Sequence, residues 1–147
     1  MLYLAIDQHR DQLTINLRNE QGDVIQKEQI STKHDDINDF FDNLARQAGR
    51  HRGYMAIVEV CEFNHWLLEK HKEYKCNEIV VIQPDSYSNK KTDKRDANAL
   101  GELLWNNRKR LQNGERPNGI RRIIPANHED ADARQLANFR QFLREQL

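Results

Sequence analysis

The chain has 147 residues, 37% of them apolar and 31% charged, and a formal net charge of zero. That length suits one domain able to bury a core without disulfides, and no apolar run approaches the ~20 residues of a membrane-spanning helix. The opening Met1-Leu2-Tyr3-Leu4-Ala5-Ile6-Asp7 meets an acid too early for a signal peptide. Cys61 and Cys76 lack zinc or redox-pair spacing and read as reduced thiols of a cytosolic protein.

Tyr3 to Asp7 is a short apolar run that stops at an acid, and it predicts a strand. Gln12 to Arg18 alternates, with Leu13, Ile15 and Leu17 on one face, the pattern of a half-buried strand. Asn19-Glu20-Gln21-Gly22-Asp23 is a turn, and Val24 to Ile30 completes an antiparallel meander. A helix opens at His34-Asp35-Asp36, where acids suit the helix dipole. Its apolar stripe is Ile37, Phe40, Phe41, Leu44 and Ala48, and Gly49 ends it. Tyr54 to Val60 is nearly all apolar, the type of strand buried on both faces of a parallel sheet. His65 to Tyr74 reads as a helix carrying Trp66, Leu67 and Leu68. Glu78 to Ile82 is a fifth strand, closed by Gln83-Pro84.

Ser86 to Lys91 is a polar loop, and Thr92 to Asn107 is expected to be helical. Asn113 to Asn118, with Gly114 and Pro117, reads as a linker. Asp130 to Leu147 reads as a last helix with Leu136, Phe139, Leu143 and Leu147 on one stripe. A lone helix of that length is marginal in water, so the expectation is that it packs on a partner, as in a homo-oligomer, or on sequence beyond this chain, which reads as the front part of a longer protein. There is no internal repeat or low-complexity tract. The domain reading is one unit over 1–112 and a linker with the start of a helical segment over 113–147.

The order β-β-β-α-β-α-β-α is that of an RNase H-like α/β fold: a five-stranded mixed sheet with helices on both faces. Such an analogy speaks to fold and only weakly to chemistry.

Charge is uneven along the chain. From Ser88 to Arg122 ten Lys or Arg face four acids, a surplus of +6 balanced by −6 elsewhere. Such a segment either seats a polyanion such as DNA or is simply a solvated surface.

Four carboxylates stand out. Asp7 continues the buried row of Tyr3 and Ala5, although an acid at a strand end is also ordinary turn chemistry. Glu59 lies within Ala56-Ile57-Val58-Glu59-Val60, where burying an acid is unfavourable unless it is ion-paired or binds a metal. Asp93 and Asp96 are three apart, so on a helix they are neighbours, with Leu100 and Leu104 continuing that face. They either share a divalent cation or serve as a helix cap and a salt-bridge partner. In the expected fold the first and fourth strands are adjacent, which brings Asp7 to Glu59, and the following helix can bring Asp93 and Asp96. Four oxygen donors at one point suit Mg²⁺ or Mn²⁺, and two such ions about 4 Å apart support phosphodiester chemistry.

Ala5-Ile6-Asp7-Gln8-His9, Val58-Glu59-Val60 and Lys91-Thr92-Asp93-Lys94-Arg95-Asp96-Ala97 together resemble the DEDD transposases of the bacterial insertion-sequence one-ten family. The last motif is the most specific. The resemblance covers about Met1 to Asn107, and the tail resembles the start of that family's linker helices. It implies a RuvC-like N-terminal domain acting in DNA transposition, with Asp7, Glu59, Asp93 and Asp96 as the catalytic, metal-binding set. It also implies a DNA partner and a guide RNA encoded by the element. The family carries a downstream domain with a nucleophilic serine that has no counterpart in this chain. Cys61-Glu62-Phe63 departs from the small residue and glycine usual after the glutamate.

Secondary candidates flank the acids. Lys90, Lys91, Lys94 and Arg95 are placed to hold phosphates or to neutralise the acidic pair. His9 either touches a phosphate or a metal-bound water or lies in an exposed turn. Glu62 is a substitute ligand or a surface acid. Tyr87 and Trp105 either stack on bases or pack. The competing function is a nucleic-acid-binding and dimerising module that is inert in isolation, told apart by whether the chain cleaves DNA with Mn²⁺. An actin-like kinase half is disfavoured, because no Gly-rich phosphate loop follows Asp7.

Overall fold

In a computed structural model, residues 1–59, 64–83, 95–115, 117 and 122–123 are described. Three strands open the chain: β1 (Leu2–Gln8), β2 (Gln12–Arg18) and β3 (Val24–Ser31). They pair as the expected antiparallel meander. The turn between β2 and β3 is built by Asn19, whose Oδ1 accepts from the backbone N–H of Gln21 and of Asp23, each at 3.0 Å. Gly22 supplies the left-handed residue at φ +87°.

Helix α1 (His34–Gly49) follows, then β4 (Tyr54–Glu59), α2 (Asn64–Glu73) and β5 (Glu78–Ile82). β4 lies parallel to β1 on one side and to β5 on the other. Helix α3 (Ala97–Asn106), the short α4 (Arg108–Gln112) and the two-residue β6 (Arg122–Ile123) complete the described elements. The sheet order is β3-β2-β1-β4-β5-β6. Its first five strands are the RNase H-like arrangement expected from the element order. β6 adds a short antiparallel strand on β5, within residues read as following the linker.

Strand alternation divides the core into two layers. Leu2, Leu4 and Ile6 of β1 and Tyr54, Ala56 and Val58 of β4 pack under Phe40, Phe41 and Leu44 of α1 and Leu67 of α2. Tyr3, Ala5, Met55 and Ile57 point the other way and pack under Leu100 and Leu104 of α3 and Leu111 of α4. Each Leu, Ile, Val, Phe or Met among them contributes roughly 1.5–3 kcal/mol on full burial. Helices therefore cover both faces, as expected. β3 is the outer strand on the far side from β6, and it leaves Val24 and Ile25 exposed.

One helix boundary differs from expectation. The helix predicted to start at Thr92 begins, among the described residues, at Ala97. Asp96 is extended (φ −72°, ψ 170°) and caps it, its Oδ1 accepting from the Ala99 N–H at 2.7 Å. An aspartate that satisfies an orphan N–H of the first turn ends the helix at its own position. Asp96 is thus not a helical neighbour of Asp93, which lies outside the described residues. The expected last helix, from Asp130, also lies outside them.

Candidate active site

Asp7 and Glu59 occupy equivalent places on adjacent strands. The parallel register pairs Ile6 with Val58, and one further step sets Asp7 beside Glu59. Both continue rows that face α3: Tyr3 and Ala5 lead to Asp7, and Met55 and Ile57 lead to Glu59. The two carboxylates therefore end the apolar layer under α3 at the carboxyl edge of the central strands. That edge is where open α/β sheets bind ligands.

Glu59 has only 3% of its side chain exposed. Its Oε1 accepts from the Arg95 backbone N–H at 2.9 Å, and Nη1 of the Arg95 guanidinium lies 4.0 Å from the same oxygen. A buried acid carries a desolvation penalty of several kcal/mol unless compensated, and Arg95 provides part of that compensation. Asp7 is 12% exposed, and its Oδ2 lies 3.2 Å from Nε2 of the exposed His9. Because Arg95 is held on Glu59, the next residue, Asp96, is brought to the same edge of the sheet. There it is exposed, with one carboxylate oxygen committed to the cap.

Of the residues picked from sequence, Asp7, Glu59, Arg95, Asp96 and His9 thus stand at one edge. Asp93, Lys90, Lys91 and Lys94 lie outside the described residues, as do Glu62 and Tyr87. Arg95 was expected to hold phosphate or neutralise the aspartate pair; here its partner is Glu59. Trp105 packs within the fold. Its indole N–H donates to the Glu20 carbonyl at 3.2 Å, Arg108 stands over its ring at 4.2 Å, and Gly22 lies against it so closely that a Cβ there would come within 2.7 Å.

Among the described residues, no three His, Cys, Asp or Glu side chains stand close enough together to hold a metal ion. The donor chemistry at the edge nevertheless suits a hard cation, since Asp7 and Glu59 offer carboxylate oxygens from a rigid, largely buried platform.

A polar network missed in the sequence fixes α3 on this platform. Asn16 and Arg18 are buried. Arg18 donates to Asn16 Oδ1 at 3.2 Å, to the Gly22 carbonyl at 3.0 Å and to Asn98 Oδ1, in the first turn of α3, at 3.0 Å. Gly101 lies directly over Asn16 and Arg18. A glycine inside a helix is unfavourable by about 1 kcal/mol relative to alanine, and that was the signal that could have revealed the close approach.

Comparison with known proteins gives one family. The family model of the insertion-sequence one-ten DEDD type, described as "Transposase", matches residues 4–145. No curated protein matches the chain. Among solved structures, that of Thermus thermophilus RuvC is similar at a TM-score of 0.48 and 12% identity, over 84% of this chain and 100% of that one.

Proposed function

Since this chain belongs to the DEDD transposase family of the insertion-sequence one-ten type, we propose that Asp7, Glu59, Asp93 and Asp96 form the divalent-metal site at which it cuts DNA. The chain is a nuclease-type transposase domain, and family membership favours that over an inert binding module. The observation that carries the site is the juxtaposition of Asp7 and Glu59 at the ends of adjacent parallel strands, under the lead-in of α3.

Mg²⁺ or Mn²⁺, one ion or two, would supply Lewis acidity there, activating the attacking oxygen and stabilising the leaving one. Asp7 and Glu59 supply fixed oxygen ligands that the sheet holds in place. Asp96, which in this structure caps α3 and does not stand with Asp7 and Glu59 as a third ligand, would add its remaining carboxylate oxygen only on moving in towards them, and Asp93 would complete the set. His9 orients the Asp7 carboxylate and stands at the rim, where a phosphate would pass. Lys90, Lys91, Lys94 and Arg95 hold the DNA backbone beside the acids.

Beyond DNA, the proposed partners are a guide RNA and further copies of the chain, in a homo-oligomer formed through the segment from Asp130 whose sequence reads as a helix. Among the described residues no helix is long and apolar enough to cross a membrane, and the proposed location is the bacterial cytoplasm. The test is nicking of supercoiled DNA with Mn²⁺. Wild type is expected to cut, and Asp7→Asn and Glu59→Gln to lose cutting while staying folded. Undiminished cutting by either variant would overturn the site.

A further inference from the structure

We propose that Arg95 is a built-in counter-ion of Glu59, and that a phosphodiester drawing its guanidinium away makes room for the metal, so that nucleic acid and divalent cation bind cooperatively. The inference rests on the reading of Glu59 as a metal ligand and adds to it a residue that couples the two ligands.

The geometry has two parts with different jobs. The Arg95 backbone N–H is hydrogen-bonded to Glu59 Oε1 at 2.9 Å, which anchors the main chain just before the Asp96 cap. The guanidinium is not bonded in the same way. Its Nη1 is 4.0 Å from Oε1, beyond hydrogen-bond reach, so its attraction to the carboxylate is coulombic alone. Nη1 is buried yet has no hydrogen-bond partner among the described residues. A buried N–H donor left unmade carries a penalty of about 1–3 kcal/mol. A planar guanidinium with open donors matches a phosphate, which it grips through two parallel bonds. The side chain is 20% exposed, so part of it is open to solvent.

Electrostatics then link the two events. A divalent cation on Glu59 would stand near a guanidinium that already neutralises that carboxylate, and the like charges repel. With the guanidinium left in place, metal binding is weakened. With the guanidinium turned onto a phosphate, the repulsion falls and the cation can approach the carboxylate. Linkage is reciprocal, so metal must strengthen DNA binding by the factor by which DNA strengthens metal binding. Meanwhile the backbone anchor holds Asp96 at the site, because it does not depend on the side chain.

The test measures Mn²⁺ binding to the full chain from the electron paramagnetic resonance signal of free Mn²⁺. It is run with and without a phosphorothioate duplex that resists cleavage, with the duplex alone as a blank. For wild type, the duplex should tighten Mn²⁺ binding roughly tenfold, within the usual range of coupling between sites. Arg95→Gln should bind Mn²⁺ tightly without DNA and gain little from it. Arg95→Lys keeps the charge and should keep most of the coupling. Melting curves establish that each variant is folded, and Arg95→Ala serves should Arg95→Gln fail to fold. Equal tightening by DNA in wild type and Arg95→Gln would overturn the proposal, as would Arg95→Gln binding Mn²⁺ no better than wild type. Glu59→Gln separates the two levels. If it binds Mn²⁺ as wild type does, the metal-site reading itself falls; if it loses binding while Arg95→Gln changes nothing, only the coupling falls.

Discussion

Arg18 on β2 reaches into the first turn of α3, where its Nη2 donates to Asn98 Oδ1 at 3.0 Å. The same guanidinium bonds the Gly22 carbonyl and Asn16, so one buried cation ties the β2–β3 hairpin to the helix that Asp96 caps. Bonds to charged groups contribute about 1.5–3 kcal/mol each and do not simply add. Arg18→Met is expected to lower unfolding free energy by about 2–4 kcal/mol in urea titrations. Arg18→Lys should recover only part, because an ammonium cannot reproduce the planar fork. A change within about 0.5 kcal/mol, the range of a plain surface substitution, would show the network to be idle.

Gly101→Ala sets helix propensity against packing. Alanine favours the helix by about 1 kcal/mol. Its Cβ, however, would stand 2.5 Å from Asn16 Oδ1 and 2.9 Å from Arg18 Nε. Both neighbours are buried and bonded to each other, so neither yields cheaply. Overpacking of this kind destabilises by about 1–3 kcal/mol. The expected outcome is a net loss of stability and a lower melting temperature, and a raised melting temperature would contradict the close packing.

His71 makes stability depend on pH. It is fully buried, Nδ1 lies 2.9 Å from the Tyr54 hydroxyl, and the ring packs edge-on against Phe41. Burial pushes its pKa down to about 3, against about 6.5 for an unfolded histidine. The folded state therefore excludes a proton that the unfolded state binds once the pH falls below about 6.5. This group's contribution is complete above that value and is lost progressively down to about pH 3. Between pH 7.5 and 5 it should remove about 2 kcal/mol. His71→Leu should be less stable at neutral pH and show a flatter profile over that window. An unaltered slope in His71→Leu would assign the acid sensitivity elsewhere.

The basic stretch bears on nucleic acid independently of the acids. If Lys90, Lys91 and Lys94 hold phosphates, DNA affinity should fall steeply with salt. Replacing all three with alanine should then flatten that dependence by about one unit for each phosphate no longer held. The weakening should be alike for all sequences, because phosphate contacts carry no sequence information. Identical salt slopes for wild type and triple variant would reduce the stretch to solvated surface, with the carboxylate site unaffected.

Much of the sheet was legible in the sequence because two strands carry nearly pure signals. Tyr54 to Glu59 is apolar on both faces, so the one acid in it stands out, and Asp7 follows from the alternation of β1. Asn16 and Arg18 were not legible. They alternate with Leu13, Ile15 and Leu17 and read as the solvent side of β2, yet α3, some eighty residues later, covers them. Burial created by so distant an element leaves no mark in a local window. Asp96 misled for a related reason: its spacing from Asp93 and Leu100 fits a helix, and the competing fit, an N-cap, is decided by where the chain enters from Glu59. Two-residue β6 is too short to show any period.

The outer strand β3 also bears on how copies of the protein meet in concentrated solution. It ends the sheet with eight residues, Val24 to Ser31, and exposes Val24 and Ile25; such an edge invites growth by strand addition. Two copies adding edge to edge about a two-fold axis must centre the pairing on a single residue. The registers that use most of the strand centre on Lys27 or Glu28. The first sets lysine directly opposite lysine and the second glutamate opposite glutamate, and like charges so placed are destabilising. Replacing both with threonine would remove that repulsion and leave a β-prone border open to aggregation, so the two charges act as gatekeepers of colloidal solubility.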